Sequence, residues 1–425
     1  MDLIGLHGLS EGIRRPIATL SRGEGYEFRF HAISCYWPHR PDADTPRTDA
    51  MKSGIASIAV LTCAGLAIAD TITVPPGGDI QAAIDVASDG DIIQLEAGEY
   101  FPSATIDMIG KAITLRGAAG RDGSPGSIID GQGSIRVLQC TSGEGPGTIF
   151  ENLLITGGHA SIGGGLSCSN GSPSLENCTF IGNSADEGGG TYLGEGSSPL
   201  LDNCTFANNS ASAGGGMHVY LDSNPTLLNC VFEKNFAAAG GGMYIAHTSD
   251  PVLTGCTFTG NMASSGSGMY NLFFSSPELT DCTFTENAAI LDGGGMININ
   301  QCHPHINNCM FTGNSAAVSG GSLWPGGGMC NHDSTPTLTN STLCSNTPDQ
   351  IYGLWIDNRD NCVLEFCDDC DIDCPGDLDG DGSIDGVDLG MMLSEWGKAG
   401  GDLTGDRTTD GEDLAILLAS WGVCP

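Results

Sequence analysis

PLLDNCTFANNSASAGGGMHVYLDSN, Pro199–Asn224, is one period of a repeat that decides the fold. Its cysteine recurs at Cys178, Cys204, Cys230, Cys256, Cys282 and Cys309, in steps of 26, 26, 26, 26 and 27 residues. A proline heads each unit, at Pro173, Pro199, Pro225, Pro251, Pro277, Pro304 and Pro336. A glycine cluster precedes an apolar position at Leu166, Thr191, Met217, Met243, Met269, Met296 and Met329. A fixed period of this length means stacked supersecondary units. Side chains alternate along a strand. Leu201 and Asn203 have one parity, Cys204 and Phe206 the other, so the chain bends between Asn203 and Cys204. Asn209 falls at another corner, Thr205 and His218 point outward, and Gly214–Gly216 make a tight turn where a Cβ would clash.

Each unit therefore predicts about three short strands and three turns, one coil of a parallel β-helix. A propeller blade would need more residues, and a leucine-rich repeat would show its line of leucines. Phe180, Phe206, Phe232, Phe258, Phe284 and Phe311, closed by Leu343, form the expected interior ladder. The cysteines read as small buried thiols beside it. Equivalent positions on successive coils stand about 4.8 Å apart, whereas bridged Cβ atoms prefer about 3.8 Å. Ahead of the regular units, Asp79 caps a short helix with Ile80, Ala83, Ile84 and Ala87 on one face, suited to covering the open first coil. The predicted fold class is all-β: a parallel β-helix solenoid of about ten coils with an N-terminal capping helix, then a small α-helical calcium-loop module.

The chain has 425 residues and a formal charge of −36, with only 15 Lys and Arg. Such a balance argues against nucleic acid as a partner and suits divalent cations. Met51-Lys52, the uncharged apolar run Ile55–Ile68 and the A-x-A sequence Ala67–Ala69 read as a secretory signal peptide, residues 51–69, too short for a membrane span. The mature chain is therefore expected to be secreted or at the cell surface, with no membrane span. Residues 1–50 hold 6 of the 15 basic residues and no repeat, and read as an upstream extension before the true start. The solenoid is assigned to 70–350, a Cys-rich linker to 351–374 and the calcium module to 375–425.

The linker's Cys362, Cys367, Cys370 and Cys374 suit bridges in an exported protein better than a metal. His303-Pro304-His305 with Cys302 and Cys309 is the one His/Cys cluster, and reads as an exposed turn rather than a metal site. In the tail, DLDGDGSIDGVD (Asp377–Asp388) places Asp377, Asp379, Asp381, Ser383, Asp385 and Asp388 at the ligand positions of an EF-hand-type loop, with Gly382 at its sharp turn. A second copy, DLTGDRTTDGED, offers Asp402, Thr404, Asp406, Thr408, Asp410 and Asp413. There Thr404 and Arg407 depart from the pattern, so weaker Ca²⁺ binding is expected. Trp396 and Trp421 keep the same offset, and Cys374 and Cys424 flank the module.

The F-x-x-N steps (Phe206/Asn209 and its equivalents), paired with Gly-Gly-x-apolar, resemble the repeat of polymorphic outer-membrane proteins. Residues 70–350 as a whole resemble secreted bacterial right-handed β-helix proteins of the pectate-lyase-like superfamily. The two loop-helix copies with Asp at position 12 look like a dockerin type I domain, which implies Ca²⁺ as cofactor and a cohesin-like or other surface receptor as partner. Lyases of the superfamily resemble one another in using an Arg or Lys base near carboxylate-held Ca²⁺. This chain has one basic residue between 151 and 350, Lys234, and the first coils add Lys111, Arg116, Arg121 and Arg136. It lacks the G-H-G and R-I-K set and the D-P-H-D of related hydrolases and epimerases, so no catalytic residue is assigned. Asp186, Glu187, Glu195, Asp222, Glu233, Asp281, Glu286 and Asp292 read as solvated turn residues. The leading reading is a non-enzymatic binding and display protein, recognising glycans or cell surfaces and tethered by its tail. A polysaccharide lyase or hydrolase is the runner-up, and a structural envelope component the third.

Overall fold

In the computed structural model the described residues are 69–120, 123–317, 326–367, 376, 378–379, 383–398, 400–401, 403–404 and 408–423. Residues 1–50 and nearly all of the leader 51–69 lie outside them.

The coils form a right-handed parallel β-solenoid whose strands pair only with equivalent strands on neighbouring coils. The opening unit shows how one coil closes. Leu200–Asp202 lies in a first sheet, Thr205–Ala207 in a second, Ser210–Ala213 in a third and Met217–Tyr220 in a fourth. These sheets contain 12, 11, 7 and 10 strands respectively. The seven coils that enter the third sheet thus have four short strands where the repeat predicts about three. The extra strand has small residues and no large inward side chain, so it carries little hydrophobic signal.

Each corner has its own chemistry. Between the first and second sheets one residue adopts positive φ, and there the sequence places Asn152, Asn177, Asn203, Asn229, Gly255, Asp281, Asn308 and Asn340. Asn, Asp and Gly tolerate this left-handed conformation best. After the second sheet an inward Asn follows the turn. Asn183, Asn209, Asn235, Asn261, Asn287, Asn314 and Asn346 form a buried ladder; from Asn209 on, each Oδ1 accepts the backbone N–H of the Asn before it at 2.9–3.1 Å, and Asn183 Oδ1 accepts that of Gly158 at 2.8 Å. Their Nδ2 groups donate to the carbonyls of the Phe column, as Asn235 does to Phe206 at 2.9 Å. At the glycine corner Gly214 has φ +67, and a Cβ on Gly216 would lie 2.6 Å from the carbonyl oxygen of Gly242 and 2.9 Å from the Phe232 ring. The first glycine serves conformation and the third serves close approach of coils.

The interior holds the predicted phenylalanine column. Successive rings from Phe180 to Phe311 stack with centroids 4.4–5.0 Å apart, nearly parallel. Cys178, Cys204, Cys230, Cys256, Cys282 and Cys309 line up beside them as buried free thiols. The short helix α1, Ile80–Val86, is capped by the Asp79 side chain accepting from the Ala82 N–H. It adds Ile80, Ala83 and Ile84 to the core of the first coils. At the other end the pairing continues past residue 350. Asp349–Tyr352, Ile356–Arg359 and Cys362–Val363 add strands to the fourth, first and second sheets. Cys344 is bridged to Cys367, and Cys362 is also in a disulfide. No helix among the described residues is long and apolar enough to cross a membrane.

Helices α2, Gly386–Ser394, and α3, Gly411–Ala419, belong to the tail. Asp385 and Asp410 cap them in matching capping boxes with Asp388 and Asp413. Ser383–Ile384 pairs antiparallel with Gly422–Val423, over a small core of Ile384, Met392 and Leu417.

Candidate functional site

The outward positions of the fourth sheet carry an aromatic patch. Alternation that turns Met217 and Val219 inward turns His218 and Tyr220 outward. In register with His218 stand Tyr192, Tyr244 and Tyr270. Tyr192 and Tyr244 meet the His218 ring edge-on, at centroid distances of 5.4 and 4.8 Å, and Tyr220 does so at 5.7 Å. Tyr244 stacks on Tyr270 at 5.1 Å. Through Tyr220 the patch reaches His247 at 4.8 Å, and His247 meets Phe273 at 5.1 Å.

His218 does point outward, as the repeat predicts, but it is not an exposed recognition residue: the surrounding tyrosines leave it 3% exposed. Neither ring nitrogen has a hydrogen-bond partner. The half-exposed Glu187 carboxylate stands 3.7 Å away. Burial, helped by the neighbouring His247, pushes the imidazole down to about 3, so the ring is neutral. Burial pushes the Tyr192 and Tyr244 hydroxyls up to about 12.

The turn leaving this sheet is strained. Leu221-Asp222, His247-Thr248, Phe273-Phe274 and Asn300-Gln301 are consecutive pairs with φ between +52 and +63. Bulky and β-branched residues are outliers in this region, at about 1–3 kcal/mol each. Two features hold the pairs in place. Backbone bonds run coil to coil, such as Thr248 N–H to Phe273 O and Phe274 N–H to Asn300 O, both 3.1 Å. Buried serines close the first three turns, Ser223 Oγ donating to Tyr220 O at 2.7 Å, Ser249 Oγ to Ala246 O at 2.9 Å and Ser275 Oγ to Leu272 O at 2.9 Å, and Cys302 takes that place at the fourth. Phe273 and Phe274 are thereby held 37% and 55% exposed.

Three depressions follow one another along this corner. The first, about 310 Å³, is lined by His247, Thr248, Phe273 and Phe274. The second, about 550 Å³, shares both phenylalanines and adds Asn300, Gln301 and Asp333. The third, about 350 Å³, shares Asp333 and continues to His332, Tyr352 and Leu354. Together they make a groove running from coil to coil, lined by Phe273, Phe274 and Tyr352 and by the polar side chains of Asn300, Gln301 and Asp333. The sequence reasoning missed it, although Tyr192, His218, Tyr244 and Tyr270 recur every 26 residues immediately after the glycine-apolar step.

The basic residues of the first coils are engaged elsewhere. Lys111 Nζ donates to the carbonyls of Ile84, Asp85 and Ala87, closing the C-terminal end of α1. Arg116 pairs with Glu151 at 2.6 Å. Arg136 binds the carbonyls of Ile162 and Gly163 and the side chain of Gln139. Arg121 lies outside the described residues. His303 and His305 are exposed whereas Cys302 and Cys309 are buried in the interior, so that cluster does not converge.

Among the twelve predicted calcium ligands, Asp377, Asp381, Asp402 and Asp406 lie outside the described residues. The remaining eight are Asp379, Ser383, Asp385, Asp388, Thr404, Thr408, Asp410 and Asp413. Asp388 and Asp413, at position 12 of each loop, are fully buried. Asp388 accepts the N–H groups of Leu378, Asp379 and Asp385. Asp413 accepts those of Leu403, Thr404 and Asp410. Each carboxylate therefore draws the start of its loop against its end. Burial opposes the charge on Asp388, but the N–H groups outweigh it and hold the carboxyl below its ordinary value. The Asp410 N–H leads the groups that do the same for Asp413.

A family model described as right-handed beta helix region matches residues 127–276 and 164–328. No curated protein matches the chain. Among solved structures the chain is similar to pectate lyase Pel9A, with 15% identity, 70% of this chain and 80% of that one covered, and a TM-score of 0.43. It is also similar to an alginate lyase from Paenibacillus sp. str. FPU-7, at 12% identity, 69% and 99% coverage and a TM-score of 0.43. A family PL6 polysaccharide lyase from Pseudopedobacter saltans matches at 14% identity, 69% and 92% coverage and a TM-score of 0.37.

Proposed function

We propose that this is an extracellular, non-enzymatic rod that binds polysaccharide along its aromatic groove and is tethered through its C-terminal module. The observation that carries the reading is the continuous patch from Tyr192 to Phe274, held outward on rigid strands and on turns that retain bulky residues in a costly conformation. Strain kept at a surface is a mark of function, and aromatic platforms with a few polar groups at their edge suit amphipathic ligands such as sugar rings. Lys111, Arg116 and Arg136 support the non-enzymatic reading, because each is already bound to carbonyls, a carboxylate or an amide. The dockerin-like tail would hold Ca²⁺ through Asp379, Ser383, Asp385 and Asp388 with their loop partners Asp377 and Asp381. The second loop would use Asp402, Thr404, Asp406, Thr408, Asp410 and Asp413. The cation would order both loops for a cohesin-like or other surface receptor.

The test is a polysaccharide panel with the protein in Ca²⁺, read both for retention in affinity gels and for release of reducing or unsaturated ends. Retention without cleavage is expected; cleavage of any polymer would replace this reading with the lyase or hydrolase one. For the tail, calorimetric titration should resolve one tighter and one weaker Ca²⁺ site, and absence of binding would remove the tether.

A further inference from the structure

We infer that the groove's ligand is a polysaccharide free of carboxylate and sulfate groups, lying along the rod axis with its sugar rings on Phe273 and Phe274, and that an amine-bearing chain binds more tightly than a neutral one. This rests on the glycan-binding reading and narrows it.

Charge is the first argument. An anionic polymer needs cations along its path. Between residues 151 and 350 the sequence holds one Lys or Arg, Lys234, and it follows the second sheet, at a different corner of the coil. His218 is neutral and buried. The groove's fixed charge is instead acidic: Asp333, shared by two of the depressions. A polyuronate would meet this carboxylate with no Lys or Arg to offset it, only the histidines His247, His303 and His332.

Shape and chemistry are the second. Phe273 and Phe274 line depressions of about 310 and 550 Å³. The apolar C–H faces of pyranose rings fit such surfaces, while Asn300 and Gln301 supply donors and acceptors for hydroxyl groups. An ammonium near an aromatic face and a carboxylate gains from both. The coil rise, about 4.8 Å, is close to the length of one sugar ring, so successive coils offer successive subsites.

The test compares hydroxyethyl cellulose, chito-oligosaccharides with free amines, and polygalacturonate on the full chain with Ca²⁺. The expected order is amine-bearing, then neutral, with polygalacturonate unbound. F273N/F274G should lower affinity for the first two about tenfold or more, the loss of two ring contacts. Asn and Gly accept positive φ, so its melting temperature should be unchanged or higher. The double variant keeps the net charge, so adventitious attraction of a polycation would survive it. D333N should weaken the amine-bearing ligand severalfold and leave the neutral one unchanged. Polygalacturonate bound as tightly as the others would overturn the inference while leaving glycan binding intact. Unchanged affinity in F273N/F274G would overturn the site, equal effects of D333N would overturn the amine preference, and no binding to any polymer would sink both this inference and the reading beneath it.

Discussion

At the scale of single residues, His218 carries a pH dependence that can be worked out. Unfolded, its imidazole takes up a proton near pH 6.5; folded, only near 3. The groups that face it are Glu187, His247, Tyr192, Tyr220 and Tyr244. Between those two values the unfolded chain binds more protons, so stability contributed by this residue is present above pH 6.5 and is lost as pH falls towards 3. At pH 4.5 the loss should approach about 2–3 kcal/mol. Urea midpoints of wild type and H218F at pH 7.5 and 4.5 measure it. The variant should lose less on acidification, and equal losses would show that His218 is solvated in solution.

Among the elements, two ladders bear the load, and their energetics differ in kind. The Phe column gains by apolar burial, and truncating one ring costs about 3–5 kcal/mol. The Asn ladder gains little per bond but is expensive to break. Asn235 accepts from the N–H and Nδ2 of Asn209 and donates to the Phe206 carbonyl. N235A would leave the buried Asn209 N–H and Phe206 carbonyl without this partner, at about 1–3 kcal/mol each, while Asn209 Nδ2 keeps the Phe180 carbonyl. A small polar residue should therefore match a phenylalanine, with N235A lowering stability by about 3 kcal/mol or more. A urea midpoint close to wild type would mean that water replaces the side chain. The serines of the fourth corner perform a similar role on a smaller scale, letting Phe273 and Phe274 stay in a conformation that Asn or Gly would adopt more cheaply.

For the whole molecule, coil stacking explains both the cysteine usage and the finish of the rod. Parallel coils keep the interior thiols in register without bringing them to bridging geometry, and ten cysteines among the described residues are free and buried. The bridges belong to the last coils, where the repeat fails and Cys344 meets Cys367 across 23 residues. Native protein should therefore react slowly with thiol reagents, and unfolded, unreduced protein should expose at least these ten thiols. Fewer than that would mean that the column is oxidised. An open solenoid is weakest at its ends, which is where helix α1 and the disulfides lie.

The period of 26 residues by itself determined the parallel coils, the inward Phe and Cys columns and the Asn and Gly corners, because each answers a local demand: side-chain parity, positive φ, or space for a neighbouring backbone. The sequence also made the tail's paired acidic loops legible as a motif. The third strand of each coil was hidden because Ser210–Ala213 buries no large side chain. The groove was hidden for another reason. Tyr192, His218, Tyr244 and Tyr270 keep the period, but whether an outward residue is open to solvent depends on its neighbours one coil away. Only the tertiary structure decided that Tyr192 and Tyr244 enclose His218 while Phe273 and Phe274 stay exposed, since that follows from ring packing between residues 26 positions apart and from the strained turn that presents them.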